Sequence, residues 1–252
     1  MKIFSEQMDL NYEEGMAKQG DVDAMIRVAF YILFAHPAEP VDDVNAALAI
    51  KYYKAAAAAG RKEAMLDLGA AYMDGRGVER DPEEALRWYR KGFDPDDGNS
   101  CWVLGCVYRY DYLDKKEVPV EDTDRIREAL NFFRRGAEFC NSDCLYELGE
   151  LYFNGIGVRQ DYEQAFDYFS DAYDEIDPDL MSGRAARIYL RLGQCYIHGW
   201  GTESDEDYGK ELLEDAWSEW TSRKSWGMDE EPEYKEICRK ELTTLKKIHP
   251  SE

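Results

Sequence analysis

The sequence predicts an all-α fold built as a solenoid of helical hairpins, and three observations predict it. A Leu-Gly pair followed three residues later by Tyr occurs at Leu68, Gly69 and Tyr72, at Leu104, Gly105 and Tyr108, at Leu148, Gly149 and Tyr152, and at Leu192, Gly193 and Tyr196. The distance to the next apolar block is regular: 17 residues from Leu68 to Ala85, from Leu148 to Ala165 and from Leu192 to Gly209. A further 19 residues lead from Ala85 to Leu104 and from Ala129 to Leu148, so the ground period is 36. Self-similarity at such a period marks a repeat architecture, in which each unit buries its apolar face only by stacking on its neighbours.

The elements follow in order. Residues 1–20 predict an N-terminal capping helix, because Leu10, Tyr12 and Met16 align with Ile50, Tyr52 and Ala56 of a second repeat helix. Repeats are expected at 21–60, 61–98, 99–141, 142–186 and 187–222, the first a degenerate copy with Val28 and Ala29 in place of Leu-Gly. Insertions of four residues after Val28, eight after Leu104 and eight after Ala165 fall in connections, where added length costs little. A linker, 223–233, carries Gly227 and Pro232, and Tyr234, Ile237, Cys238, Glu241, Leu242 and Leu245 predict an amphipathic closing helix. The whole chain, 1–252, reads as one array.

Within a copy, Ala64, Leu68, Gly69 and Tyr72 stand at i, i+4, i+5 and i+8, the spacing of one buried helical stripe, and Ala85, Leu86, Trp88 and Tyr89 form its partner. Gly69 in mid-helix costs about 1 kcal/mol relative to Ala, which a close approach of a neighbouring helix backbone would justify. Between the helices, Asp74–Val78, Asn154–Val158 and His198–Thr202 repeat a Gly-x-Gly turn. The first Gly suits a left-handed helix terminus and the second a chain reversal. Asp81, Asp161 and Asp205 are placed as N-caps, Pro82 at the first helical position, and Glu84 and Gln164 to complete capping boxes.

These segments, AMLDLGAAYMDGRGVERDPEEALRWYRKG, CLYELGELYFNGIGVRQDYEQAFDYFSDA and RLGQCYIHGWGTESDEDYGKELLEDA, resemble the Sel1-like repeat family, a relative of the tetratricopeptide repeats. The third copy keeps Leu104, Gly105, Tyr108, Ala129, Phe132 and Phe133 but replaces the paired glycines with an inserted loop. The resemblance covers roughly residues 21–222. It implies a right-handed superhelix of antiparallel helix pairs, a concave face lined by first helices, and an adaptor role without catalysis. Some secreted relatives staple their helices with disulfides. Cys101 stands near such a position, but its partner positions around Ala137 and Gly92 hold no Cys, and only Cys140 and Cys144 lie close in sequence. Reduced packing thiols are therefore expected. Other relatives have been associated with β-lactams, and no motif here carries that over.

Composition narrows the partner. With 31 Lys and Arg against 53 Asp and Glu the net charge is −22, which disfavours nucleic-acid phosphate and anionic lipid. A basic protein or peptide is the electrostatic complement; plain solubility is the other reading. No apolar run approaches 20 residues, and Met1–Gly20 lacks the apolar core of a signal peptide, so a cytoplasmic protein is expected.

No reaction centre is legible. The Gly-x-Gly turns follow helices and lack the strand and Lys of a phosphate cradle. Cys195 and His198 stand three apart without a second ligand pair, so no metal and no cofactor is expected. By the tetratricopeptide analogy, residues two before, two after, five after and six after each repeat Leu line the concavity. The candidates for peptide contact are Phe34, Met73, Trp102, Arg109, Tyr110, Tyr146, Glu150, Phe153, Gln194 and His198, aromatic anchors among sparse polar groups. The same positions could instead be packing residues. The inserted loop from Tyr110 to Asp124, with Tyr112, Leu113 and Lys115, is a second candidate, and Trp200 a third. Besides the adaptor, two readings stay open: a small-ligand receptor or enzyme, for example for cell-wall fragments, and an acidic inhibitor or immunity-type protein occluding a basic partner.

Overall fold

The computed structural model describes residues 10–35, 42–111, 116–117, 123–176, 183–225 and 232–248. The described residues form helices and a single two-residue ladder. Helix α1, Leu10–Lys18, is the N-terminal cap. Five hairpins follow: α2 (Val22–Phe34) with α3 (Asp43–Ala58), α4 (Lys62–Asp74) with α5 (Pro82–Gly92), and α6 (Gly98–Arg109) with α7 (Thr123–Ala137). The last two pair α8 (Ser142–Asn154) with α9 (Tyr162–Asp174), and α10 (Gly183–His198) with α11 (Glu206–Ser225). Helix α12, Pro232–Ile248, closes the chain. The contacts gather into two compact units, one ending at Phe132 and the other starting at Phe133 within α7. Among the described residues no helix is long and apolar enough to cross a membrane.

The Leu-Gly-Tyr signature has a separate task for each residue. Leu68 and Leu148 are completely buried. The glycine admits the second helix of its own hairpin: a Cβ on Gly69 would stand 2.6 Å from the Tyr89 ring, and one on Gly149 would collide with Phe169. The expectation of an approaching backbone at Gly69 is therefore met by a side chain instead; of the three glycines, it is Gly193 of the fifth repeat whose Cβ would meet a backbone atom first, the Gly209 carbonyl at 2.8 Å. Tyr89 and Phe169 stand four residues after Ala85 and Ala165; in that register repeat five has Leu213, 3.0 Å from a Cβ on Gly193. The tyrosine closes the turn through its backbone, its carbonyl accepting from Asp81 at 2.9 Å, Asp161 at 3.1 Å and Asp205 at 2.9 Å.

That bond corrects the capping box. Asp81, Asp161 and Asp205 accept as N-caps from the backbone N–H of Glu84, Gln164 and Tyr208, at 3.0, 3.1 and 3.0 Å. Their own N–H groups are already taken by the tyrosine carbonyls, so Glu84 has no return bond to make and pairs with Arg87 at 3.0 Å instead. The turn glycines are left-handed as expected, with φ of 71° at Gly75 and 68° at Gly155. The second glycine of the turn also packs outward: a Cβ on Gly201 would lie 2.0 Å from the Tyr162 carbonyl, at the start of the preceding repeat's second helix.

The inserted loop of the third repeat forms a short antiparallel ladder, Tyr110 opposite Glu117 and Asp111 opposite Lys116. Tyr112, Leu113 and Lys115, singled out in the sequence, lie outside the described residues, as do parts of the N-terminal cap and of the 223–233 linker.

One carboxylate is buried in the first unit. Asp67 of α4 lies against the fully buried Tyr53 of α3, with its Oδ2 closed to solvent. Burial, and then the charge of Glu63, push its carboxyl up to about 7, while the Tyr53 hydroxyl works the other way. The folded protein thus holds this proton more tightly than the unfolded chain does. The stabilisation is complete below about pH 4 and is lost as pH rises through about 7.

Two outcomes follow for stability. Gly149→Ala adds a Cβ against Phe169, and overpacking of about 1–3 kcal/mol outweighs a helix-propensity gain of about 1 kcal/mol. Urea unfolding should show a lower midpoint that Phe169→Leu partly restores; a midpoint at or above the wild type contradicts this packing. Asp67→Asn should stabilise the protein at pH 8 by on the order of 3 kcal/mol and shrink towards neutrality at pH 4. A difference independent of pH would show that Asp67 does not hold its proton.

Candidate functional site

The ten groove candidates separate by burial. Met73, Arg109, Tyr146, Glu150 and Gln194 are buried in the protein. For these five the packing alternative describes where their side chains are. Phe34, Trp102 and Phe153 are half-buried and His198 is exposed. The Tyr110 side chain lies outside the described residues. Phe34 carries the Arg76 guanidinium 5.4 Å above its ring, while Arg76 also donates to the Leu33 carbonyl at 2.8 Å. That pair ties the turn of the second repeat to the end of α2.

In the second unit the buried polar candidates belong to one network. Glu150 of α8 receives both Nε and Nη2 of Arg191 from α10, the latter at 2.9 Å. Arg191 also donates to Gln194 Oε1 at 3.0 Å, and Gln194 passes the chain on to Glu241 of α12 at 3.1 Å. The His198 ring stands 3.4 Å from the same Glu241 oxygen. The Arg191 guanidinium lies 4.9 Å over the Phe153 ring, and that of Arg187 lies 4.7 Å over Tyr234 of α12. Burial, then the Glu150 charge and Tyr234, raise the Tyr146 phenol. The inner face of the last two repeats is therefore filled by side chains of this chain, with α12 supplying the outermost. Sequence reasoning missed Arg191 and Glu241. Arg191 falls one residue before the repeat Leu, off the register used for the groove, and only the return of α12 gives Glu241 a role.

A second cluster stands at the turn of the fifth repeat. Trp200 stacks on Tyr162 at 5.7 Å and 14°, meets Phe153 edge-on at 5.2 Å, and packs against His198 at 4.4 Å. Beside it a shallow polar cleft of about 720 Å3 runs between Arg159–Glu163 and Gly199–Glu203. A smaller cleft of about 340 Å3 lies between Trp217 and Trp220 of α11 and Arg239 of α12. Trp200 is half-buried rather than freely exposed.

Two cysteines of the second unit, Cys195 and Cys238, are buried and held as thiols. Burial pushes the Cys195 thiol up to about 12, with Arg191 opposing and Glu150 adding. Burial and then Glu241 do the same to Cys238, which donates to the Leu213 carbonyl at 3.3 Å. A thiol held protonated is a weak nucleophile.

The Glu150–Arg191 pair sets the stability of this inner face. Desolvating both ions is costly, and bidentate geometry with Gln194 as a further acceptor offsets it. Arg191→Met alone leaves Glu150 buried and uncompensated, which should cost about 3–5 kcal/mol in chemical denaturation. The double variant Glu150→Leu/Arg191→Met should recover most of that loss. Equal losses from the single and double variants would show that the ions do not act as a pair.

The family described as Sel1 repeat matches residues 22–60, 62–94, 142–175 and 189–216, more than half of the chain. An uncharacterised Sel1-like repeat-containing protein of Schizosaccharomyces pombe is 26% identical over 108 residues, 42% of this chain and 14% of that protein. Two solved structures share the fold. One is a protective antigen of uropathogenic Escherichia coli displaying an SLR fold, with a TM-score of 0.63 at 20% identity, covering 94% of this chain and 48% of that one. The other is a Sel1 repeat protein from Oxalobacter formigenes, with a TM-score of 0.61 at 20% identity, covering 95% and 100%. The immunity protein Pa5087 of Pseudomonas aeruginosa, with a TM-score of 0.51 at 19% identity, covers 90% of this chain and 82% of its own. At these identities the likeness is one of fold. The repeat signature, the hairpins that it builds and the family match agree: this chain belongs to the Sel1-like repeat family, whose members serve in general as scaffolds for protein interactions.

Proposed function

We propose that this protein is a non-catalytic adaptor that binds a basic protein or peptide segment through the exposed surface of its repeats. The observation that carries the reading is the charge: −22 over 252 residues, on a fold that offers extended helical surface and whose inner face in the last two repeats is occupied by its own side chains. Electrostatic complementarity of this kind accelerates encounter and selects partners more than it adds raw affinity. The six cysteines follow no regular stapling pattern along the repeats, which supports a reducing, cytoplasmic setting.

A second reading is favoured by the same charge: an acidic inhibitor or immunity-type protein that occludes one basic enzyme. The likeness to Pa5087 extends to the fold, so the charge is what supports it. The two differ in tightness and exclusivity.

The immobilised chain should be presented with basic, neutral and acidic proteins of matched size at low and high ionic strength. Saturable one-to-one binding of basic proteins that weakens with salt is expected. Retention indifferent to charge, or uptake that never saturates, contradicts the adaptor reading.

A further inference from the structure

The repeats do not carry the same charge on their second helices, and the difference is registered. Counting five residues on from the repeat alanine at Ala49, Ala85 and Ala129 reaches Lys54, Arg90 and Arg134; from Ala165 it reaches Ser170. Each of the three cations reaches the signature tyrosine of the following repeat. Lys54 stands 5.9 Å over the Tyr72 ring, Arg90 donates to the Tyr108 hydroxyl at 3.3 Å, and Arg134 donates to the Tyr152 hydroxyl at 3.3 Å. At the next junction the tyrosine is Tyr196, and α9 contains no Lys or Arg. Tyr196 meets aromatic edges instead, Phe166 at 5.4 Å and Tyr208 at 4.9 Å.

The surroundings of that junction are nevertheless built for a cation. Arg134, which serves Tyr152, and Asp171 both act on Tyr168, whose ring packs 5.5 Å from that of Tyr152. The residues of α11 in the register of Asp167 and Asp171 are Glu211 and Asp215, again carboxylates and both exposed. Glu211 lies by Tyr208, and Asp215 by Tyr189. Tyr173 packs edge-on to Tyr189 at 5.7 Å and remains 38% exposed, as does Tyr208. The carboxylate pair of the junction that Arg134 serves is thus repeated here, beside exposed tyrosine, with serine where the cation stood. The two earlier junctions carry Arg87 and Lys91, and Asn131 and Arg135, in that register.

We propose that the face between α9 and α11 is a docking slot for an arginine side chain of a protein partner, its guanidinium donating to the Tyr196 hydroxyl beside Glu211 and Asp215 as Arg134 donates to that of Tyr152. Arginine is the matching chemistry because two of the three internal cations are guanidinium groups that reach a tyrosine hydroxyl, and aromatic faces together with carboxylates suit its planar fork. This rests on the basic-partner reading above and names the surface and the residue type that it uses.

The test uses the full chain and a fluorescent capped peptide of arginines spaced by Gly and Ser, with a counterpart in which citrulline replaces arginine. Anisotropy should show binding of the arginine peptide only. Ser170→Arg supplies the missing cation from within and should weaken the peptide by about tenfold or more while leaving thermal unfolding unchanged or raised. Ser204→Arg adds the same charge in an exposed turn and should weaken it by less than about twofold. If Ser170→Arg lowers the unfolding temperature, Glu211→Gln/Asp215→Asn takes its place with the same expectation. Equal losses from Ser170→Arg and Ser204→Arg, or equal binding of the citrulline peptide, overturn the slot. Self-association of the wild type that Ser170→Arg abolishes assigns the face to a second copy instead and also overturns it. Absence of peptide binding while basic proteins are still retained sinks the slot alone; loss of both sinks the basic-partner reading with it.

Discussion

The close approach of the two helices in the second, fourth and fifth hairpins, permitted by a glycine in the middle of the first helix, is the constraint from which the rest of the architecture follows. A helix interior disfavours glycine by about 1 kcal/mol relative to alanine, so its presence needs a return in packing. At Gly149 the return is the Phe169 ring lying on the bare backbone, and at Gly69 it is Tyr89. Once the helices are that close, the turn between them is short, its two glycines adopt left-handed conformations, and the tyrosine carbonyl can reach the N–H of the capping aspartate. The hairpin is therefore closed by backbone and packing, and its outward side chains are left free to vary.

That freedom is visible in the charges. The second helices of the first three repeats place Lys54, Arg90 and Arg134 on the tyrosine of the following repeat, and these cations contribute to joining one hairpin to the next. The fourth repeat meets the same tyrosine with an aromatic edge, Phe166 on Tyr196, and Tyr208 of the fifth repeat's own second helix packs on the same ring. Both solutions hold the stack, but they leave different surfaces: one neutralised from within, the other acidic and aromatic. Crowding shows in Asp171, whose carboxyl is raised by its partial burial and then by Asp167, Asp174 and Glu175. Helix α9 contains no cation of its own to relieve it.

The helices, their order and their caps were legible because they depend on local chemistry repeated at a fixed period. Asp81, Asp161 and Asp205 cap where the register placed them. The capping boxes failed because they required knowledge of a longer bond, from the tyrosine carbonyl to the cap N–H, that no local pattern announces. The groove candidates were less legible for a similar reason. Register places Tyr146, Glu150 and Gln194 on one face, but whether that face meets solvent depends on a helix that returns more than 40 residues later with Glu241. Periodicity reports which residues share a side; it does not report what covers that side.

The filled inner face bears on where a partner can bind. To use Gln194 and Glu150, a ligand would have to displace Glu241 and strip partners from a buried Arg191, leaving charges uncompensated in a low-dielectric setting. The outer surface of the same repeats asks for no such rearrangement: its carboxylates are already hydrated and its tyrosines already partly exposed. At the preceding junctions the internal arginines reach a tyrosine hydroxyl on that side, and Lys54 lies over a tyrosine ring. In the last two repeats, then, the cost of opening the interior would direct the proposed partner to the side where the second helices lie.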